Sequence, residues 1–303
     1  MKRLFALSVL LVWLAGMQPV AAWNLFGHEC VAYVAYQHLK PEVRERANAL
    51  LKLNPMYQDW LKQCSPAEDT DEQIFVQAAT FPDLIKMSAE YKNDDISAPE
   101  ARQNIGYADK NMHKYWHYCD IPFTQDHMKL PSLASPNAEE MIPKFTSVLK
   151  SDASDDLKSY DLCWILHIVG DVHQPLHCIN RACKYSPKGD NGGNDVKLCD
   201  TSPNLHHFID DILGPDGSPI SAVTYARTLQ PADQNLAAEK DSSKWIAESH
   251  DLAIKQVYQR PIGHEDGPYE LTSKYKEAML KLSRERVELA GERLANLLNE
   301  NLK

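Results

Sequence analysis

The chain has 303 residues and a formal charge of −10, from 42 acidic and 32 basic side chains. An acidic surface attracts polyanions poorly, so the composition argues against a protein that binds nucleic acid through a broad basic face. If the ligand is a phosphate ester, local cations must bind it, and metal ions are the best candidates.

Residues 1–22 have the layout of a secretory signal. Lys2 and Arg3 precede a short apolar run, and residues 20–22 (Val-Ala-Ala) resemble a cleavage site. The run is shorter than the about 20 apolar residues that a membrane span needs, and no second long one follows. We therefore expect an exported protein, periplasmic or secreted, in which residues 23–303 form one domain and the chain is a monomer.

The mature chain keeps seven cysteines, and in an exported protein most of them are expected to form disulfides. Cys30 and Cys64 can tie the first helix to the segment behind it, but the sequence leaves the connectivity open. The chain has no Asn-x-Ser/Thr acceptor, which fits a bacterial export route better than a eukaryotic one.

Apolar spacing predicts a mainly α protein with at most a short β-hairpin. The predicted helices cover residues 23–39, 41–53, 138–150, 157–174, 204–213, 220–229, 241–258 and 273–298. Residues 88–111 and 123–137 are predicted to be surface loops. Residues 184–202 are rich in Gly, Asp, Asn and Pro. Within them, Val196–Leu198 is the best candidate for a short strand.

The stretch Trp164–His177 carries the clearest chemical signal. His167 and Asp171 are four residues apart, so on a helix they share one face and can bind a common ion. Pro175 breaks the helix, which lets His177 return from the following loop. Imidazole and carboxylate ligands suit zinc. The alternative is a buried helix whose histidines only form hydrogen bonds in the core.

Further ligand-type residues occur elsewhere in the chain. His206 and Asp210 repeat the spacing of four, Asp83 follows Pro82 at the end of an apolar segment, and His117 lies among aromatic residues. His28 stands close to the amine that signal cleavage would expose. These residues and the central stretch supply more ligands than one zinc ion can use.

The other histidines have no matched ligand role. His173 is expected in the core or beside a ligand, His207 on the surface, and His113 in ordinary packing or at the surface. Trp116 and Trp164 are expected in the core.

Several motifs together resemble one family. They are WNLFGH at 23–28, FPDLIK at 81–86, HYCD at 117–120, GGND at 192–195 and the His/Asp spacings above. In order and spacing they are similar to the class I nucleases, which are secreted, zinc-dependent single-strand nucleases and 3′-nucleotidases related in fold to bacterial zinc phospholipase C. The resemblance extends from Trp23 to the closing segment Ala290–Ala295.

The resemblance implies a multi-helix phospholipase C/nuclease-like fold with three zinc ions. The first would be bound by Asp83, His117, His167 and Asp171. The second would be bound by His177, His206 and Asp210. The third would be bound by His28, by a bridging Asp171, and by the amino and carbonyl groups of Trp23. An α-amine has a pKa of about 8 and binds metal when deprotonated, so signal removal would be an activation step.

The same resemblance implies roles in catalysis and substrate binding. Asp83 would orient the attacking water, and Lys86 would lie beside a phosphate oxygen. Tyr118 would stack on a base, at a position where family members often carry Phe. Asp120 would accept a hydrogen bond from a base edge, and Asn194 would help to hold the nucleoside.

The implied activity is hydrolysis of single-stranded DNA and RNA, with 3′-nucleotidase activity, by a hydroxide held between zinc ions and leaving 5′-phosphate products. One alternative is a zinc phospholipase C acting on phospholipid headgroups. The short interval between Trp23 and His28, and Asp210 where that branch uses Glu, argue against it. A second alternative is a non-catalytic exported zinc-binding protein, although structural zinc sites are usually rich in Cys.

Overall fold

A computed structural model describes residues 23–199, 202–215 and 217–303. The predicted signal sequence, residues 1–22, lies outside these ranges. The mainly α prediction is confirmed, since helices account for most of the described chain. None of the described helices combines the length and the apolar character that are needed to cross a membrane.

Twelve α-helices occur in the described ranges, and their bounds follow the predicted ones closely where the apolar spacing is regular. They are α1 Leu25–His38, α2 Pro41–Leu51, α3 Tyr57–Gln63, α4 Thr70–Ala78, α5 Phe81–Met87, α6 Ala138–Lys150, α7 Asp155–Asp171, α8 Leu205–Asp210, α9 Pro219–Ala226, α10 Gln234–Ala237, α11 Ser242–Leu252 and α12 Ser273–Asn301. A π-helical turn at Ala253–Val257 continues α11.

Polar side chains fix where most of the longer helices begin. Asn24, Asn137 and Thr272 accept hydrogen bonds from main-chain N–H groups in the first turns of α1, α6 and α12. Each such cap contributes about 1 kcal/mol, because it satisfies a donor that the helix leaves without a partner. Pro82 is accommodated in the first turn of α5, so Asp83 lies in the first turn of a helix and does not end a segment as the sequence suggested.

Regular β-structure in the described chain is limited to two strands of two residues each. Pro122–Phe123 (β1) and Asn180–Arg181 (β2) pair in parallel, with Pro122 opposite Asn180. The candidate strand Val196–Leu198 forms only isolated bridges, through Lys197 and Leu198. The short β1–β2 ladder lies just after the segments that carry His117 and His177.

Helix α7 lies at the centre of the protein. Every residue from Lys158 to Asp171 is buried, and α1, α2, α5, α6 and α12 all pack against the helix. A helix that is buried on all sides needs no polar face, which explains why the apolar run around Trp164 shows no clear stripe. Trp116 and Trp164 are fully buried, as predicted.

The seven cysteines all carry free thiols, so the expected disulfides are not formed in this structure. Cys30 Sγ lies 3.6 Å from the carbonyl oxygen of Ala222, whereas Cys64 Sγ lies 3.6 Å from the side-chain amide of Gln77. The tie suggested between Cys30 and Cys64 is therefore absent. Cys199 is the one exposed thiol among the seven.

The contact between α1 and α12 depends on a missing side chain. A Cβ atom at Gly291 would lie 2.4 Å from Val34 Cβ and 3.0 Å from the carbonyl oxygen of Val31. Real Cβ atoms do not approach so closely, so α1 and α12 pack at this distance only because residue 291 is glycine.

We expect Gly291→Ala to lower the free energy of unfolding by about 1–2 kcal/mol. A Cβ contact of 2.4 Å puts the overpacking cost in the upper part of its usual range, about 2–3 kcal/mol, and the higher helix propensity of Ala offsets about 1 kcal/mol of it. Urea unfolding monitored by circular dichroism measures the difference. Lys281→Ala, at an exposed position of the same helix, is the control and should stay within about 0.5 kcal/mol of the parent. A variant as stable as the parent would contradict the tight packing.

Candidate metal centre

The carboxyl-terminal end of α7 brings four of the predicted ligands into one buried cluster. His167 Nε2 lies 3.3 Å from Asp171 Oδ2 and 3.6 Å from Asp83 Oδ1. His117 Nδ1 lies 3.1 Å from Asp171 Oδ2 and 2.9 Å from His167 Nε2. Donor atoms at these separations can all reach one ion placed among them.

Asp171 faces a second side of the centre with its other oxygen. Asp171 Oδ1 lies 3.3 Å from His28 Nε2, while Oδ2 faces His117 and His167. The His28 ring stacks on the His167 ring with their centroids 3.7 Å apart. The carboxylate therefore faces His28 with one oxygen and His117 and His167 with the other, as a residue that bridges two ions must.

A further group of candidate ligands lies beside the first. His206 Nε2 lies 3.1 Å from His177 Nε2 and 3.4 Å from Asp210 Oδ2. The spacing of four puts His206 and Asp210 on one face of α8. His177 reaches them because α7 ends at Asp171 and a short 3-10 turn, Pro175–Cys178, reverses the chain. His177 Nδ1 is 4.0 Å from Asp171 Oδ1, so the two groups are contiguous.

Backbone carbonyls orient three of the histidines. His167 Nδ1 donates to Ala79 O at 2.7 Å, His177 Nδ1 to His117 O at 3.0 Å, and His206 Nδ1 to Gly192 O at 2.7 Å. With the proton on Nδ1, each ring keeps its Nε2 lone pair for the centre, as metal-binding histidines do.

His173 differs from these histidines. Its Nδ1 donates to Val169 O at 2.7 Å, and its Nε2 lies 3.1 Å from the Arg293 guanidinium, which can only donate. Both ring nitrogens are thus occupied away from the candidate ligands. His173 is a buried core residue, which is one of the two places expected from the sequence.

Burial sets the protonation of the centre. It lowers the pKa values of His117, His167 and His177 well below the ordinary value, and lowers that of His206 to about 4. Neutral imidazole is the form that binds metal. Burial also raises the pKa of Asp171, and the nearby Asp83 carboxylate adds to this effect. A cation among these groups would reverse the cost of ionising the carboxylates.

Polar atoms in the centre lack hydrogen-bond partners. Asp83 Oδ2 and His117 Nε2 are buried and have none. Because a buried polar atom without a partner is costly, such atoms point to a ligand that the protein is built to hold. Nitrogen and oxygen donors without thiolates suit zinc in an open, catalytic type of site. The residues present therefore fit the metal that the sequence implies.

The start of the described chain is anchored against the centre. Asn24 N–H donates to Asp210 O at 3.4 Å, and Asn24 Nδ2 donates to Gly214 O at 2.6 Å. Trp23 is fully buried. It packs so closely on α1 that a Cβ at Gly27 would lie 2.7 Å from Trp23 Cβ. Residue 23 is thus held between the helices that carry His28 and Asp210.

Lys86 brings a positive charge to the same place. Its Nζ lies 2.5 Å from Asp83 Oδ1, three residues earlier on α5, and both side chains are almost fully buried. A buried lysine is costly unless it is paired, so this ion pair fixes the ammonium beside the candidate ligands.

The three predicted substrate contacts lie on segments next to the ligands. Tyr118 is half-buried and follows His117, and a cavity of about 550 Å³ opens beside it. Burial and then the Asp190 carboxylate raise the pKa of Asp120 to about 8. Asn194 is half-buried in the turn whose Gly192 carbonyl orients His206.

One feature next to the site was not predicted from the sequence. His113 is fully buried, with Nε2 2.9 Å from Asp109 Oδ2 and Nδ1 3.1 Å from Asp94 Oδ2. Burial alone would lower the pKa of His113, but the hydrogen bonds to Asp109 and Asp94 raise it above the ordinary value. The ring stacks on Trp116 at 3.6 Å and so braces the segment that carries His117. Asp109 precedes His113 by four residues, but neither residue lies in a helix, and Asp94 precedes His113 by 19, so helical spacing does not predict the cluster.

The chain is similar to proteins of one known family. The profile of the S1/P1 Nuclease family matches residues 23–303. Nuclease S1 of Aspergillus oryzae is 25% identical over 238 residues, which cover 75% of this chain and 66% of that nuclease. The match thus spans slightly less than two thirds of the relative. With the family profile matched from Trp23 to Lys303, the chain belongs to the S1/P1 nuclease family.

Proposed function

We propose that the chain is an exported zinc-dependent nuclease. It hydrolyses phosphodiester bonds in single-stranded DNA and RNA, leaves 5′-phosphate products, and removes the phosphate of 3′-nucleotides. The observation that carries this proposal is the position of Asp171, whose two oxygens lie 3.1 Å from His117 Nδ1 and 3.3 Å from His28 Nε2. Family membership supports it as well.

In this proposal three zinc ions bind to the candidate ligands. The sets are Asp83, His117, His167 and Asp171; then His177, His206 and Asp210; then His28, Asp171 and the amino and carbonyl groups of Trp23. When bound, zinc lowers the pKa of water and offsets charge on a phosphate group. The first and second sets each contain a three-residue group whose donor atoms lie within 4.8 Å of one another, and a third such group, His28, Asp83 and His167, combines residues of the first and third sets.

Asp83 and Lys86 contribute the protein's own part of the chemistry. Asp83 Oδ1 is paired with Lys86, whereas Asp83 Oδ2 is buried without a hydrogen-bond donor. That oxygen can accept a hydrogen bond from the attacking water and orient it in line with the leaving oxygen. The Lys86 ammonium offsets negative charge that grows on the phosphate oxygens.

Tyr118, Asp120 and Asn194 bind the nucleoside. The Tyr118 ring offers a stacking face that tolerates any base. Asp120, whose carboxyl pKa is raised by burial, accepts a hydrogen bond from a base edge. A base must leave its duplex to reach Tyr118, which favours single strands. The net charge of −10 implies that binding strength comes from the site itself.

Export and activation are parts of the same proposal. Cleavage after residue 22 frees the amino group of Trp23 for the third zinc, and residues 23–303 act as one domain and as a monomer in the periplasm or the medium. The anchoring of Asn24 to Asp210 and Gly214 supports a role for the new amino terminus at the centre.

We expect the purified mature protein to contain three zinc ions per chain and to hydrolyse single-stranded DNA, RNA and 3′-AMP. Removal of the metal with a chelator should abolish hydrolysis, and added zinc should restore it, because no side chain in the site replaces the metal. Elemental analysis and a substrate panel with duplex DNA and phosphatidylcholine test this. Hydrolysis of phosphatidylcholine alone would indicate a phospholipase, and bound zinc without any hydrolysis would indicate a binding protein.

We expect one alanine placed before Trp23 to remove one zinc ion per chain. The added residue turns the amine into an amide, which does not bind zinc, and pushes the new amine out of the centre. Elemental analysis of the extended and mature forms measures the loss. Three zinc ions and full activity in the extended form would rule out the amine as a ligand.

We expect Tyr118→Ala to raise KM for single-stranded DNA by about 5- to 150-fold, since base stacking contributes about 1–3 kcal/mol. The zinc content should stay the same, because the tyrosine ring is not a ligand. Tyr185→Ala, at an exposed tyrosine, is the matched control with parental KM. An unchanged KM for Tyr118→Ala would remove this residue from the base site.

A further inference from the structure

Gln174 lies in the turn between the two buried groups of candidate ligands and is itself fully buried. Its main-chain N–H donates to Asp171 O at 2.9 Å, and its carbonyl oxygen accepts from His177 N–H at 3.0 Å. The residue is therefore hydrogen-bonded through its backbone to a candidate ligand on each side.

The side chain of Gln174 connects this turn to α8. Its Oε1 accepts from Leu176 N–H at 2.6 Å, and its Nε2 donates to Asp210 Oδ1 at 2.8 Å. The first bond fixes the conformation of the side chain, so the second one fixes Asp210. With Oδ1 occupied, Asp210 presents Oδ2, which lies 3.4 Å from His206 Nε2.

The turn that carries Gln174 is held from the other side by α11 and α12. Arg286 Nε donates to His173 O at 3.0 Å, and Ser249 Oγ donates to Val172 O at 2.5 Å. Arg286 Nη2 also donates to Ser249 Oγ at 2.8 Å. These buried hydrogen bonds keep the backbone of the turn in place. The length of the Gln174 side chain then determines where its Nε2 contacts Asp210 Oδ1.

We propose that Gln174 is a positioning residue for the group His177, His206 and Asp210. It leaves Asp210 one oxygen for the metal and keeps α8 at the distance at which His206 and His177 bind the same ion. The inference rests on the proposed zinc sites, and it assigns a role to a residue that does not contact the metal.

Only a glutamine side chain meets these requirements. It supplies one acceptor and one donor at its end without adding charge to a centre that already holds buried carboxylates. Asparagine is shorter by one methylene and cannot reach both Leu176 and Asp210. Methionine has a similar size and fills the space, but it forms neither hydrogen bond.

The experiment compares Gln174→Met with Gln73→Met. Gln73 is equally buried and also uses both ends of its amide, in bonds to Ser65 N at 2.7 Å and Ser65 O at 3.0 Å. It lies on α4 and is not among the candidate ligands. Both variants are prepared as mature protein, and their metal-free forms are unfolded in urea to compare the loss of stability.

We expect Gln174→Met to weaken the binding of one zinc ion by about 10- to 100-fold in chelator competition, as loss of a bond that orients a ligand typically does. The other two ions should bind as in the parent, and Gln73→Met should bind all three normally. Gln174→Asn, which keeps the amide and the fold but not the reach, should show the same selective loss.

Two results would overturn the inference. One is parental affinity for all three ions in Gln174→Met and Gln174→Asn. The other is equal weakening in the Gln73 control, which would show that any buried hydrogen bond matters as much. If the parent binds no zinc at all, the proposed function fails and not only the role of Gln174. If Gln174→Met does not fold, Gln174→Asn alone decides.

Discussion

The structure depends on one buried carboxylate, Asp171, at the end of a helix that is buried on all sides. Its Oδ2 faces His117 and His167, and its Oδ1 faces His28. A carboxylate in such surroundings is costly to ionise, and the rise in the pKa of Asp171 reflects that cost. In the proposed function, bound cations would offset this cost. The helices that pack around α7 hold Asp171 in a fixed place, because the part of α7 that carries it is buried on all sides.

Other candidate ligands are oriented by backbone carbonyl groups in the segments that carry, or closely precede, further ligands. His177 donates to the carbonyl of His117, and His167 donates to Ala79 O, four residues before Asp83. A shift in one segment would therefore rotate a ring that belongs to another. This mutual support suits a centre that must keep several donor atoms within a few ångströms without a disulfide framework, because each of the seven cysteines is a free thiol. Metal binding and folding should be closely linked in such a centre.

The sequence predicts those parts of the site that lie on a regular helix or next to a proline. The spacing of His167 and Asp171 on α7 and its repeat at His206 and Asp210 on α8 appear in the structure as expected. The predicted break at Pro175 does not, because α7 already ends at Asp171, three residues before the predicted end at Gln174. The contacts that orient the ligands could not be predicted. His113 contacts Asp94, which lies 19 residues earlier in an irregular segment, and Gln174 contacts Asp210, which lies 36 residues later. Such contacts arise from tertiary packing, and neither helical nor strand periodicity in the sequence predicts them.

The acidic balance of the chain and its proposed polyanionic substrate are compatible, because the charge that matters is local. Lys86 stands beside Asp83 inside the centre, so its ammonium is positioned by an ion pair that a phosphate group would share. With a net charge of −10, long-range attraction of nucleic acid is absent, and non-specific binding to duplex DNA is disfavoured as well. In the proposed function, a strand would bind where one of its bases stacks on Tyr118 and a phosphate contacts Lys86 and the metal ions. In the proposed function, selectivity for single strands would follow from that requirement, since a base paired within a duplex could not stack on Tyr118 while its phosphate lies at the centre.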